Sequence, residues 1–121
     1  MADSDLRLVT GTTFGFSSVW QQQNATGEWE PVIITGCTAR FVMCDERTGE
    51  TLVTASTGDG ITIPDGESGE VVVNLPPSKT ADLKSAKLGE VSYELRVYFP
   101  SGDVYSLMMG YVAIVEGKFN D

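Results

Sequence analysis

The stretch VSYELRVYFPSGDVYSLMMGYVAIV, Val91–Val115, decides how this chain folds. Val91, Tyr93, Leu95, Val97 and Phe99 alternate with Ser92, Glu94, Arg96 and Tyr98, the period of two that sends successive side chains to opposite faces of a β-strand. Pro100-Ser101-Gly102-Asp103 reads as a tight turn, with glycine supplying the backbone freedom. Pairing Phe99 with Val104 then sets the register. Val97 falls opposite Ser106, Leu95 opposite Met108, Tyr93 opposite Gly110 and Val91 opposite Val112, all on the core side. The solvent side carries Tyr98, Tyr105, Leu107, Met109 and Tyr111, where a free-standing sheet has polar residues. An apolar patch of this kind marks a surface that another protein covers.

The rest of the chain supplies more strands of the same type. Thr12–Gln22 places Phe14, Phe16 and Trp20 on one face, Asn24–Trp29 reverses the chain at Thr26-Gly27, and Pro31–Thr35 is a short edge run. Thr38–Asp45 turns Ala39, Phe41 and Met43 inward and Arg40 and Val42 outward. Arg47–Glu50 is a hairpin turn into Leu52–Ser56, Ile61 and Ile63 follow a Gly-Asp-Gly break, and Pro64–Gly69 is a polar loop. Glu70–Leu75 points Val71, Val73 and Leu75 inward. Ser78–Lys87 is the one helical candidate, with Ser78 or Thr80 as cap and Ala81, Leu83 and Ala86 facing the core. Gly89 releases the chain into the final hairpin. Short alternating segments divided by Gly, Asp and Pro turns predict an all-β fold. The specific expectation is an immunoglobulin-like two-sheet antiparallel β-sandwich with one short helical crossover. One domain spans 11–115, flanked by a mobile N-terminal arm, 1–10, and a C-terminal tail, 116–121.

A chain of 121 residues can bury about two thirds of its unfolded surface and needs no disulfide or metal for stability. Its net charge of -9 argues against phosphate-backbone binding, since no Lys/Arg stripe is there to release counterions. Lys79, Lys84 and Lys87 form the one local basic cluster and read as a solvated turn. The acidic start Met1-Ala2-Asp3-Ser4-Asp5 lacks the apolar segment of a secretion signal, and no run is long enough to span a bilayer as a helix. Both points predict synthesis and folding in a cytoplasm. Cys37 and Cys44 lie on opposite faces of one strand and read as two free thiols, Cys37 inward and Cys44 outward.

The ordered motifs resemble a known family. Gly11-Thr12-Thr13-Phe14-Gly15-Phe16 through Trp20 is similar to the start of the N-terminal domain of phage baseplate upper proteins. Ile34-Thr35-Gly36-Cys37-Thr38-Ala39-Arg40-Phe41 resembles that family's Leu-Thr-Gly-x-Thr-Ala-Arg segment. Gly60–Ile63, Gly69–Leu75, Ala81-Asp82-Leu83, Leu88–Leu95, Pro100–Val104 and Gly110–Ile114 continue the resemblance in order, over 11–115. It implies a sandwich domain without catalytic activity that docks on a tail, baseplate, neck or head, of which tail, baseplate or neck is favoured. Baseplate-forming members continue into long receptor-binding or scaffold regions, so a chain stopping after Asp121 reads as the attachment module alone.

Chemistry-bearing clusters are few. There is no histidine, which removes the commonest general base, the serine triad and most zinc sites. No partner in the sequence activates Cys37 as a nucleophile. Asp59, Asp65 and Glu67 match no EF-hand spacing. The pairs Glu28/Glu30, which flank Trp29, and Asp45/Glu46 lack the aromatic platforms of a glycosidase cleft. No catalytic, cofactor or metal site is expected. The expected interface is Arg96, Tyr98, Tyr105, Leu107, Met109 and Tyr111, with Trp29 as an exposed loop anchor. The reading is a non-enzymatic structural component of a tailed bacteriophage virion, made in the host cytoplasm. Its expected partners are other virion proteins, not nucleic acid or membrane, and self-association within the particle is compatible with it. Two alternatives stand beside it. One is a head decoration protein; the other is a host-surface carbohydrate-binding module using Trp20, Trp29 and the tyrosines.

Overall fold

The computed structural model describes residues 6–83 and 90–118. It is mostly β-structure. In chain order the strands are β1 (Leu6–Val9), β2 (Phe14–Val19), β3 (Gln21–Gln23), β4 (Trp29–Pro31), β5 (Thr38–Asp45), β6 (Thr51–Thr57), β7 (Gly60–Thr62), β8 (Glu70–Leu75), β9 (Val91–Tyr98) and β10 (Val104–Val115). One short helix, α1 (Pro77–Thr80), follows β8, and Gly66–Ser68 forms a single 3-10 turn.

Eight strands form one hydrogen-bonded sheet in the order β1-β10-β9-β5-β6-β7-β8-β2, and β3-β4 is a separate hairpin. Two independent sheets were the sequence expectation. They are joined because β6 and β7 pair in parallel over two residue pairs, Ser56 with Gly60 and Thr57 with Ile61. Gly60 permits the junction. Its φ is +95°, and a Cβ there would lie 3.0 Å from that of Ala55.

The sheet folds over on itself. In a flat sheet β2 and β5, four strands apart, would be roughly 19 Å from one another. Instead the rings of Phe16 on β2 and Phe41 on β5 meet edge-on at 5.5 Å. Phe14 extends this contact on one side at 5.9 Å and Tyr93 on the other at 6.0 Å, so an aromatic row crosses the interior. Around it Ala39, Phe41, Met43, Val71, Val73, Leu75, Leu95 and Val97 are fully buried. These are the inward positions that alternation predicts for β5, β8 and β9, and removing their apolar surface from water is what holds the two halves together.

The first residues depart from the expected mobile arm. Leu6–Val9 pair in parallel with Val112–Val115, and Leu8 is completely buried. Thr10 N–H donates to the Val115 carbonyl, and Gly117 N–H donates to Thr10 Oγ1 at 3.0 Å, so the start of the expected tail is tied down as well. The four-residue alternation of β1 is too short to register beside the acidic start, and its partner strand lies at the other end of the sequence.

Of the helical candidate, the described residues form one turn, Pro77–Thr80. Pro77 occupies its first position, where a missing N–H costs nothing. Lys84–Gly89, including the expected inward Ala86 and basic Lys84 and Lys87, lie outside the described residues. Thr80 does not cap the helix. Its side chain is fully buried, and Oγ1 accepts from Gly11 N–H at 3.1 Å and lies 2.9 Å from the Thr12 carbonyl it can donate to. This one hydroxyl ties α1 to the β1–β2 turn. The Thr80→Val variant keeps the shape and strands those two backbone groups, so it should lose about 1–3 kcal/mol of stability in urea denaturation.

Candidate protein-docking face

The β9–β10 hairpin keeps the expected register at its base and loses it at its tip. Val112 lies opposite Val91, Gly110 opposite Tyr93 and Met108 opposite Leu95, as alternation requires. A β-bulge then absorbs Leu107, and beyond it Ser106 faces Arg96, Tyr105 faces Val97 and Val104 faces Tyr98. The tip is accordingly a five-residue loop, closed by Phe99 N–H to the Asp103 carbonyl and Gly102 N–H to the Phe99 carbonyl.

The bulge moves two expected interface residues off the outer rows, although Tyr105 stays 46% exposed. Tyr105 shares the inward parity of Val97, and its ring lies 5.4 Å from Trp20 and 5.5 Å from Phe99. Leu107, the extra residue of the bulge, packs against the buried core. Trp29 is 65% exposed but stands on the separate β3–β4 hairpin, opposite Gln23, and not on the β9–β10 face. Trp20 packs against Phe99 and Tyr105 and is no open sugar platform.

What remains is an ordered outer face across β10, β9, β5 and β6. One row is Val104, Tyr98 and Thr38; the next is Ser106, Arg96, Arg40 and Ser56. The third is Met109, Glu94, Val42 and Thr54; the fourth is Tyr111, Ser92, Cys44 and Thr51. Met109 is 67% exposed and Val104 45%, while Tyr98, Tyr111 and Val42 are half-buried. The face therefore has apolar ends and flanks around a charged centre. An open concavity of about 350 Å³ lies along its fourth row, between Glu46, Glu94, Met109 and Tyr111.

Sequence reading missed Arg40, because its neighbour is more than fifty positions away. Arg40 sits directly opposite Arg96, and like charges so placed repel. Glu94 relieves Arg96 with a 2.7 Å contact from Nε to its carboxylate. The hydrogen bond from Arg96 holds the Glu94 carboxyl below its ordinary range; partial burial opposes this, and a hydrogen bond from Ser106 assists. The same bond raises Arg96. Among the described residues no ion pair to Arg40 is present.

The other candidate groups are dispersed. Among the described residues no three potential metal ligands gather: Asp59 contacts Lys79 at 3.4 Å, and Asp65 accepts from Glu67 N–H. Asp45 is buried and accepts from Arg47 N–H, which fixes the β5–β6 turn. Burial pushes the Cys37 thiol up, away from a nucleophilic thiolate; Cys44 is half-exposed on the outer face.

No family model matches this chain, and no curated protein does. Among solved structures, murine CRIg is similar over 98% of this chain and 96% of that one, with 8% identity and a TM-score of 0.42. A likeness that faint assigns no fold family.

The electrostatics of the face can be checked directly. Glu94 is ionised above its folded-state pKa, and its bond to Arg96 is present there and lost as pH falls through that value. Arg96→Gln should move the Glu94 carboxyl titration, followed by carbon NMR, back up toward the ordinary glutamate range.

Proposed function

We propose that this chain is a non-enzymatic assembly module that docks on other proteins through the outer face of β10, β9 and β5. The observation that carries this reading is the set Val104, Tyr98, Met109 and Tyr111, apolar side chains on the solvent side of central strands whose inner side is already filled. An interface of this composition, aromatic and methionine anchors around an arginine, supplies binding energy from a few well-placed residues.

The finer fold that supports this role is a variable-type immunoglobulin-like sandwich. β1 runs parallel beside β10, followed by β9, β5 and β6; β7, β8 and β2 form the opposing layer. That order has the strand neighbours of such domains. The assembly is the particle of a tailed phage, at its tail, baseplate or neck. Support for this placement is the resemblance of the ordered motifs from Gly11 to Ile114 to the N-terminal domains of baseplate upper proteins.

Oxidative footprinting of Met109 in purified particles and in the free chain tests this function. Met109 should oxidise readily when free and be protected at least about fivefold in the particle, while buried Met43 stays protected in both. The double variant Met109→Asp/Tyr111→Asp should fold normally and fail to incorporate. Equal oxidation of Met109 in both states, or normal incorporation of the double variant, overturns the docking face.

A further inference from the structure

The layout of charge on this face selects its occupant. Four rows of outward residues cross β10, β9, β5 and β6, and the two central rows differ in sign. One holds Arg96 and Arg40 side by side; the next holds Glu94, with Glu46 beyond it bonded to Ser92 Oγ at 3.0 Å. Apolar residues lie at both ends, Val104 and Tyr98 at one and Tyr111 at the other, and Met109 flanks Glu94 in its row. A surface whose positive and negative rows are exchanged by reversing the strand direction is complementary to itself.

We infer that the partner on this face is a second copy of the chain, related by a two-fold axis that lies in the face and runs across the strands. This deepens the docking reading above and rests on it. The axis sets each strand against its counterpart in reverse, so the arginine row of one copy meets the Glu94 row of the other. Arg96 then faces the second copy's Glu94, and Arg40, which has no ion pair among the described residues of its own chain, lies one strand from the same carboxylate. A two-fold axis along the strands instead stacks four arginines together, and like charges so placed repel. Charge thus favours the axis across the strands over the axis along them.

Size is consistent with a real contact. Four strands and eight residues span roughly 19 by 26 Å, about 500 Å² of each copy, so two copies bury on the order of 1,000 Å² together. That is the lower end of specific interfaces and predicts a reversible dimer.

Charge exchange tests the pairing. In sedimentation equilibrium the native chain should form a dimer that weakens as salt rises. Arg96→Glu and Glu94→Arg, each alone, should weaken it at least about tenfold, because each sets like charges against one another. Mixed in equal amounts, the two variants should recover a heterodimer, since each then supplies the charge its partner lacks. Circular dichroism melting of both variants checks that they fold. A native chain that stays monomeric to about 1 mM, single variants that dimerise as well as the native chain, or folded variants that fail to pair on mixing each overturn the inference. Protection of Met109 in the particle separates its failure from that of the docking reading. With protection and no dimer, the face serves another protein; without protection, the docking reading itself falls.

Discussion

The structure depends on one contact across its interior, the edge-on meeting of Phe16 and Phe41. These rings belong to strands four places apart in a continuous ladder, so the sheet must fold over for them to touch. The central inward residues are then enclosed: Val71, Val73 and Leu75 from one half pack toward Ala39, Met43, Leu95 and Val97 from the other. The inner side is filled by these residues, so the outward residues of β9 and β10 lie on the reverse of a packed layer. The apolar outer face is thus the reverse side of a finished core.

Much of this was legible from alternation. β5, β8 and β9 have one face buried, so their apolar residues recur every second position and their inward sets could be read directly. The base of the last hairpin followed from the same rule. The bulge at Leu107 could not, because Ser106-Leu107-Met108-Met109 contains no glycine or proline to mark an inserted residue. Its effect is a parity flip that carries Tyr105 from the outer side to the Trp20 and Phe99 rings. The joining of two sheets into one was equally hidden, since it depends on two residue pairs at a bend.

For the candidate site the sequence yielded the apolar half and not the charged half. Tyr98, Met109 and Tyr111 declare themselves by standing where polar residues belong. Arg40 looks ordinary, an outward arginine on a strand, until the pairing of β5 with β9 sets it against Arg96. Electrostatic design of this kind is a property of neighbours distant in sequence, whereas hydrophobic patterning is a property of one strand. Trp29 shows the converse: an exposed tryptophan is easy to notice, but its hairpin lies outside the eight-strand ladder, and nothing joins it to the docking face.

The parallel pairing of β1 with β10 also bears on biosynthesis. β1 has its ladder partner in β10, about a hundred residues later in the sequence, so Leu8 remains unprotected until Val104–Val115 has been made. Such non-local closure is slow relative to local hairpins. The nascent polypeptide is therefore held open by its own connectivity, and the final strand both completes the interior and displays the outer patch. A chain truncated within Val104–Val115 loses the partner strand of β1 and with it the enclosure of Leu8.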